Sequence, residues 1–152
     1  MPRKGSTMST SDIGTTLAIA TGLPATFTEA GYEAMSWVVV GGLQTAGQLG
    51  GDDATITVSD LGTGRARTLK GETTGGVVPF STREIPGDAG QVAIAAAGLS
   101  RAEFSFRIGE PLTVERYISG PVMNYKRNEF SVTSYAGHTF ACSDNYGVTS
   151  GT

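Results

Sequence analysis

The sequence predicts a mainly β, turn-rich domain with one longer helix, and three observations carry that prediction. There are 22 glycines scattered without period, which excludes a collagen-like chain, and 39% hydrophobic residues, which argues against disorder. Thr, Val and aromatic residues alternate with polar ones over several short runs, as half-buried strands require. Only DAGQVAIAAAGL (88–99) combines a cap, sufficient length and an apolar helical pattern. At 152 residues the chain fits one domain, large enough to fold around its own core without metal or disulfide staples.

The elements follow in order. MPRKGSTMSTSDIG (1–14) lacks apolar periodicity and reads as a flexible N-terminal arm. Thr28 caps a short helix over 29–35 with Glu29 in its first turn, and Gly31 keeps it to a turn or two. Ser36–Val40 reads as a strand buried on both faces because its valines are consecutive. GGLQTAGQLGGDD (41–53) has too many glycines for a continuous strand and predicts a bulged or kinked strand end followed by a long loop.

ATITVSD (54–60) and RARTLKG (65–71) alternate as strands around the LGTG turn. Arg65, Arg67 and Leu69 fall on one side of the second pleat, and its basic tips mark an exposed or edge strand. GGVVPFST predicts a further strand, placed at an edge because Pro79 cannot donate to a ladder. In the longer helix Asp88 is the cap and Gln91 completes a capping box. Val92, Ala95, Ala96 and Leu99, at i, i+3, i+4 and i+7, form the stripe expected on a sheet.

AEFSFRIG places Phe104, Phe106 and Ile108 on one face. LTVERYIS and PVMNYKRNEF continue as strands on either side of Gly120-Pro121. SVTSY and HTFACSD follow, broken at Ala136-Gly137, and 145–152 reads as a flexible C-terminal arm. The sum is eight or nine strands.

Charge and motifs narrow the function. Net charge is −3, and setting aside Arg3 and Lys4 leaves nine basic residues against fourteen acidic ones. That is the wrong sign for gripping nucleic acid, and Tyr125-Lys126-Arg127 is a small basic cluster against it. Gly42 and Gly47 have Walker-like separation, but Gln48 and Leu49 stand where Lys and Ser/Thr are needed, and no helix follows as a dinucleotide fold requires.

His138 is the only histidine, with no Gly-x-Ser-x-Gly elbow to serve. His138 and Cys142 supply two ligands where zinc wants three or four. Asp52 and Asp53 lack the spaced oxygens of a calcium loop. Cys142, alone, reads as a packed thiol. No catalytic residue, metal site or cofactor is expected. With no apolar run of membrane length and no secretory signal, the chain is expected to be soluble and made in a reducing cytoplasm.

What remains is a chain whose edges and arms point to association. The run LPATFTEAGYEAMSWVVVGGLQTAGQLGG, then LKGETTGG, DAGQVAIAAA and SGPVMNYKRNEFSVTSYAGHTFACSD, in that order, resembles the major tail, or tail tube, proteins of long-tailed non-contractile bacteriophages and related phage-like particles. The resemblance covers Thr15–Asp144, departs at Pro79 and at Asn128-Glu129-Phe130, and makes 15–144 the single domain. It implies a β-sandwich or barrel-like domain flanked by the helix, six copies closing into a ring, and rings stacking into the virion's tail as a conduit for DNA. The implied partners are further copies of itself and the tape-measure, terminator and distal tail proteins, with DNA passing through without specific binding.

If six subunits each lend four strands, the barrel backbone measures about 48 Å across, leaving a lumen of about 38 Å. An anionic or neutral polar lining would let a duplex slide. The residues expected at subunit contacts are Gln44, Asp52, Asp53 and Asp60, with Arg65, Arg67 and Lys70 pairing across subunits to acids such as Asp52 and Asp53. The rival readings are the tube protein of a contractile or secretion apparatus and a monomeric small-ligand-binding β-barrel, with a hydrolase last.

Overall fold

The computed structural model describes residues 14–110 and 114–151, and the expected N-terminal arm lies outside them except for Gly14. The described chain is mainly β, with β1 (Thr16–Thr21), α1 (Glu29–Glu33), β2 (Val38–Val40), β3 (Leu43–Ala46), β4 (Asp52–Asp60) and β5 (Arg65–Thr74). There follow β6 (Val77–Arg83), α2 (Ala89–Leu99), β7 (Glu103–Gly109), β8 (Glu115–Arg127), β9 (Gly137–Ser143) and β10 (Thr149–Gly151). One sheet runs β2-β1-β7-β8-β9-β6-β3 with β10 also on β8, and β4 and β5 pair only with each other.

The two ends of that sheet, β2 and β3, are separated in sequence by only Gly41 and Gly42, so the sheet must curl until they meet. This is the kinked strand end expected at the glycine pair. Gly42 has φ +73, and a side chain there would meet the Arg83 carbonyl at 2.6 Å. The start of α2 holds the kink. Asp88 Oδ2 accepts from both Gln91 N (3.0 Å) and Gly41 N (3.1 Å), while Gln91 Nε2 donates to the carbonyls of Gly41 and Arg83. Gln91 therefore ties helix to strand instead of returning to its cap.

At the opposite corner, β8 is one continuous strand of 13 residues and is not broken at Gly120-Pro121. Its first half pairs with β7 and its second half with β9, so it belongs to both halves of the curled sheet. Gly120 makes the turn of partner possible, because a Cβ there would sit 1.7 Å from the Ser143 carbonyl oxygen.

The half-sheets close on each other through Phe80 and Phe140 on one side and Phe106 on the other, with ring centroids 5.4–6.2 Å apart. Leu17, Ile19, Val78, Ile108, Ile118 and Val122 complete the core, and Ile94 and Ala97 of α2 join it. The result is a sandwich-like, nearly closed barrel with a helix on it, as expected.

The outer face of β1-β7-β8 is covered as well. Tyr32 of α1 stacks on Tyr117 (4.8 Å), Trp37 leans on the same ring, and the Arg107 guanidinium lies 5.3 Å from the Trp37 ring. A buried hydroxyl chain runs beneath them, Tyr32–Ser119–Ser105, ending on the Gly22 carbonyl. Thr28 caps α1 by accepting from Gly31 N, as expected.

Five local expectations are corrected. The stripe Val92–Ala95–Ala96–Leu99 is not the buried one: Val92 is 63% and Leu99 93% exposed, and Gly90, Ile94 and Ala97 face inward. Gly90 fixes that rotation, since a Cβ there would fall 2.3 Å from the Val39 carbonyl. Val38 and Val39 are exposed because β2 is a sheet edge.

Pro79 sits on a paired strand, with β9 on one side and β3 on the other. Its carbonyl accepts from Gly47 N where β3 has given way to the loop, so its missing donor costs no ladder bond. SVTSY is a turn-rich loop; its Ser131 and Ser134 hydroxyls bond locally and compete with a ladder. The expected C-terminal arm ends in β10, paired with β8.

Phe106→Ala removes the ring shared by both half-sheets and should cost about 3–5 kcal/mol, read as a lowered denaturant midpoint in equilibrium unfolding.

Candidate assembly surface

Six of the seven residues expected at subunit contacts lie on one element. Asp52, Asp53 and Asp60 are on β4 and Arg65, Arg67 and Lys70 on β5, an antiparallel ribbon exposed along nearly its whole length. Gln44, on β3, stands apart from them at the free edge of the sheet. The turn is built locally: Asp60 Oδ1 accepts from Gly62 N, and Gly64, at φ +66, donates to the Asp60 carbonyl.

The register sorts the ribbon into two unlike faces. Ile56 opposes Leu69, Val58 opposes Arg67 and Asp60 opposes Arg65, so one face is apolar with two guanidiniums at its tip. The other pairs Thr55 with Lys70, Thr57 with Thr68 and Ser59 with Ala66. Ile56 is 52% and Leu69 49% exposed. Among the described residues no third strand and no helix covers the apolar face, and a two-stranded ribbon alone is marginally stable at best in water.

One expected pairing is satisfied at home. Lys70 Nζ lies 3.4 Å from Asp53 Oδ2 within the same hairpin, so this lysine has an acid on its own β4. The Thr73 hydroxyl donates to the same carboxylate and, ahead of Lys70, holds it below the usual aspartate range. Arg65 and Arg67 form no ion pair among the described residues.

Sequence reasoning singled out the charges of this ribbon and passed over its apolar side chains. The alternation at Ile56, Val58 and Leu69 was the signal, but it fits a half-buried strand equally well. It also missed β3, whose free edge borders an open groove of about 860 Å³ with Leu49, Ile108, Glu110 and Arg116 along it. Glu110 and Arg116 are ion-paired there.

The remaining candidates for chemistry are structural in their surroundings. His138 stacks on Tyr125 at 5.1 Å, and Cys142 is buried with its thiol pushed up to about 12 by desolvation and then by Asp144 and Glu103. Among the described residues no group of three or more His, Cys, Asp or Glu is placed to hold a metal, and no helix is long and apolar enough to cross a membrane.

The fold is shared with components of tail-like particles. No protein-family model and no curated protein matches the chain. It is similar over 95% of its length to 98% of the sheath/tube terminator of the PVC extracellular contractile injection system in its extended state, with a TM-score of 0.63 and 11% identity. It is also similar to the tube-terminating cap of the anti-feeding prophage, at TM-score 0.54 and 17% identity over 90% of this chain and 87% of that one. A third likeness is to the tail of an empty GTA particle with C6 symmetry, at TM-score 0.53 and 16% identity over 87% and 92%. At these identities the likeness establishes a tail-tube-like fold.

Because the folded thiol of Cys142 titrates near 12 against an ordinary 9.0, its contribution to stability is fully present below pH 9 and lost as pH rises toward 12. Urea unfolding between pH 8 and pH 11 should show this extra loss in the wild type and not in Cys142→Ala, and native Cys142 should resist thiol reagents at pH 8 until denaturant is added.

Proposed function

We propose that this chain is a structural subunit that joins copies of itself head to tail into rings, and that the rings stack into a tail tube through which DNA passes. The observation that carries the reading is the β4–β5 ribbon: a long hairpin with an apolar, arginine-tipped face that nothing among the described residues covers. A ribbon of that kind is stabilised when a neighbouring copy supplies the missing layer. Free edges at β2 and β3 offer further contacts, and a heterologous interface that closes by rotation makes a ring. The likeness to a C6-symmetric tail supports six copies as the ring size.

In this role the chain acts as architecture in the tail of a virion or phage-like particle, with no catalytic step. Its partners are other copies and the tail proteins that bound the tube. A second reading rests on the likeness to a sheath/tube terminator and a terminating cap. A subunit of that kind would make a single ring at the end of a tube.

Arg65→Glu/Arg67→Glu tests the interface. The variant should unfold at the same denaturant concentration as wild type, because both side chains are exposed, yet fail to assemble in sedimentation velocity and negative-stain microscopy. Unchanged tubes or rings would discard the ribbon as the contact. Wild-type material that gives single rings at every concentration would favour the terminator reading.

A further inference from the structure

The half-sheet β8-β9-β6-β3 presents an outer face on which Thr45, Pro79, Met123, Lys126 and Thr139 are exposed, and its composition is unlike the rest of the protein. Register defines it. Thr45 opposes Ser81, Ser81 opposes Thr139 and Thr139 opposes Lys126, so three hydroxyls and one ammonium form a single row across four strands. The first two are within 2.6 Å, Oγ1 to Oγ. Their chain neighbours Phe80, Phe140 and Tyr125 point the other way, into the core.

The next row, Pro79, Ala141 and Met123, is small or uncharged. Two residues beyond Ser81 on the same side of β6 stands Arg83, exposed. No outward residue of β3, β6, β9 or the second half of β8 is acidic. In a chain of net charge −3 this is a neutral, hydroxyl-rich face bearing two cations, neither ion-paired among the described residues.

We infer that this face is a contact surface for duplex DNA, with the Thr45–Ser81–Thr139–Lys126 row and Arg83 meeting phosphates. It gives a place to the Tyr125-Lys126-Arg127 cluster, of which only Lys126 points outward here. The chemistry suits a polyanion in transit. Hydroxyls donate to phosphate oxygens without charge, and one or two cations per copy release few counterions, so each contact is weak, independent of base sequence and sensitive to salt. A row spanning four strands is about 14 Å long, enough to follow several phosphates along one strand of a duplex.

The inference rests on the tube reading for where the duplex is met, with this face turned to the lumen. It replaces the anionic or neutral lining expected from the sequence with a sparsely cationic one.

The test uses the purified full chain in whatever state it assembles, a short fluorescent DNA duplex as probe, and anisotropy with co-sedimentation at low and high salt. Wild type should bind at low salt and release as salt rises. Lys126→Glu/Arg83→Glu should bind about tenfold more weakly or worse. Lys126→Arg should bind as wild type does, and Arg101→Glu, on the turn before β7, should change nothing.

Unfolding midpoints confirm that the variants are folded. No binding by wild type in any state, equal loss in Arg101→Glu, or equally tight Lys126-dependent binding of polyglutamate overturns the assignment to nucleic acid. If the chain never forms rings or tubes but its duplex binding still depends on Lys126 and Arg83, the tube reading fails and the DNA-contact face stands.

Discussion

The structure depends on β8 serving two half-sheets at once. A strand that changes partner midway must bend, and the bend must occur where another backbone passes close by. Gly120 supplies both, since any side chain there would collide with the carbonyl of Ser143. Once β8 turns, the half-sheets face each other and Phe106 meets Phe80 and Phe140. The free ends of the sheet are then brought to Gly41 and Gly42, where the Asp88 and Gln91 side chains lock them to the helix. Pairing, core and helix docking are three consequences of one geometric demand. The aromatic layer of Tyr32, Trp37 and Tyr117 covers the outer face of one half-sheet, and the outer face of the other exposes Thr45, Thr139 and Lys126.

Much of this was legible where sequence pattern and local chemistry agree. Strands β4, β5 and β7 alternate cleanly, Thr28 and Asp88 are capping residues followed by helix formers, and the glycine pair reads as a kink, although the loop expected after it contains β3. Legibility failed where contrast was missing. Nearly every residue of α2 is apolar or small, so its pattern names no unique face. The buried one was chosen by the close approach of Gly90 to Val39, a contact remote in sequence.

Three valines in a row gave no sign that β2 would lie at an edge. Gly120-Pro121 has the composition of a turn, and only the tertiary path makes it the middle of a strand. The charged members of the ribbon were identified as a group, but Gln44 belongs to a different edge. The row ending at Lys126 could not be seen before the register of four strands was known.

The packed interior also decides between classes of function. A small-ligand-binding barrel needs a hollow, and here the space between the half-sheets is filled by three phenylalanines, Ile94 and the aliphatic side chains of six strands. An open groove of about 860 Å³ lies outside, beside the free edge of β3. The surfaces open to other molecules include the ribbon, the sheet edges and the outer face of the second half-sheet.

Magnitudes indicate how such surfaces would work together. Burying a side chain such as Ile56, Val58 or Leu69 completely is worth about 1.5–3 kcal/mol, and each is already about half covered, so one ribbon docking gains at most about half of that per residue. Bringing two proteins together costs an estimated 4–15 kcal/mol in lost freedom. For these three residues the docking gain is about 2–4.5 kcal/mol, which reaches only the low end of that cost. Several contacts made at once would meet it, because in the proposed closed ring each added subunit would be held on two sides and by the ring it stacks on. Under the proposed assembly, association through this ribbon would be weak between pairs and steeply cooperative in number, which is the behaviour a subunit needs if it is to remain separate until a growing end presents all of its sites together.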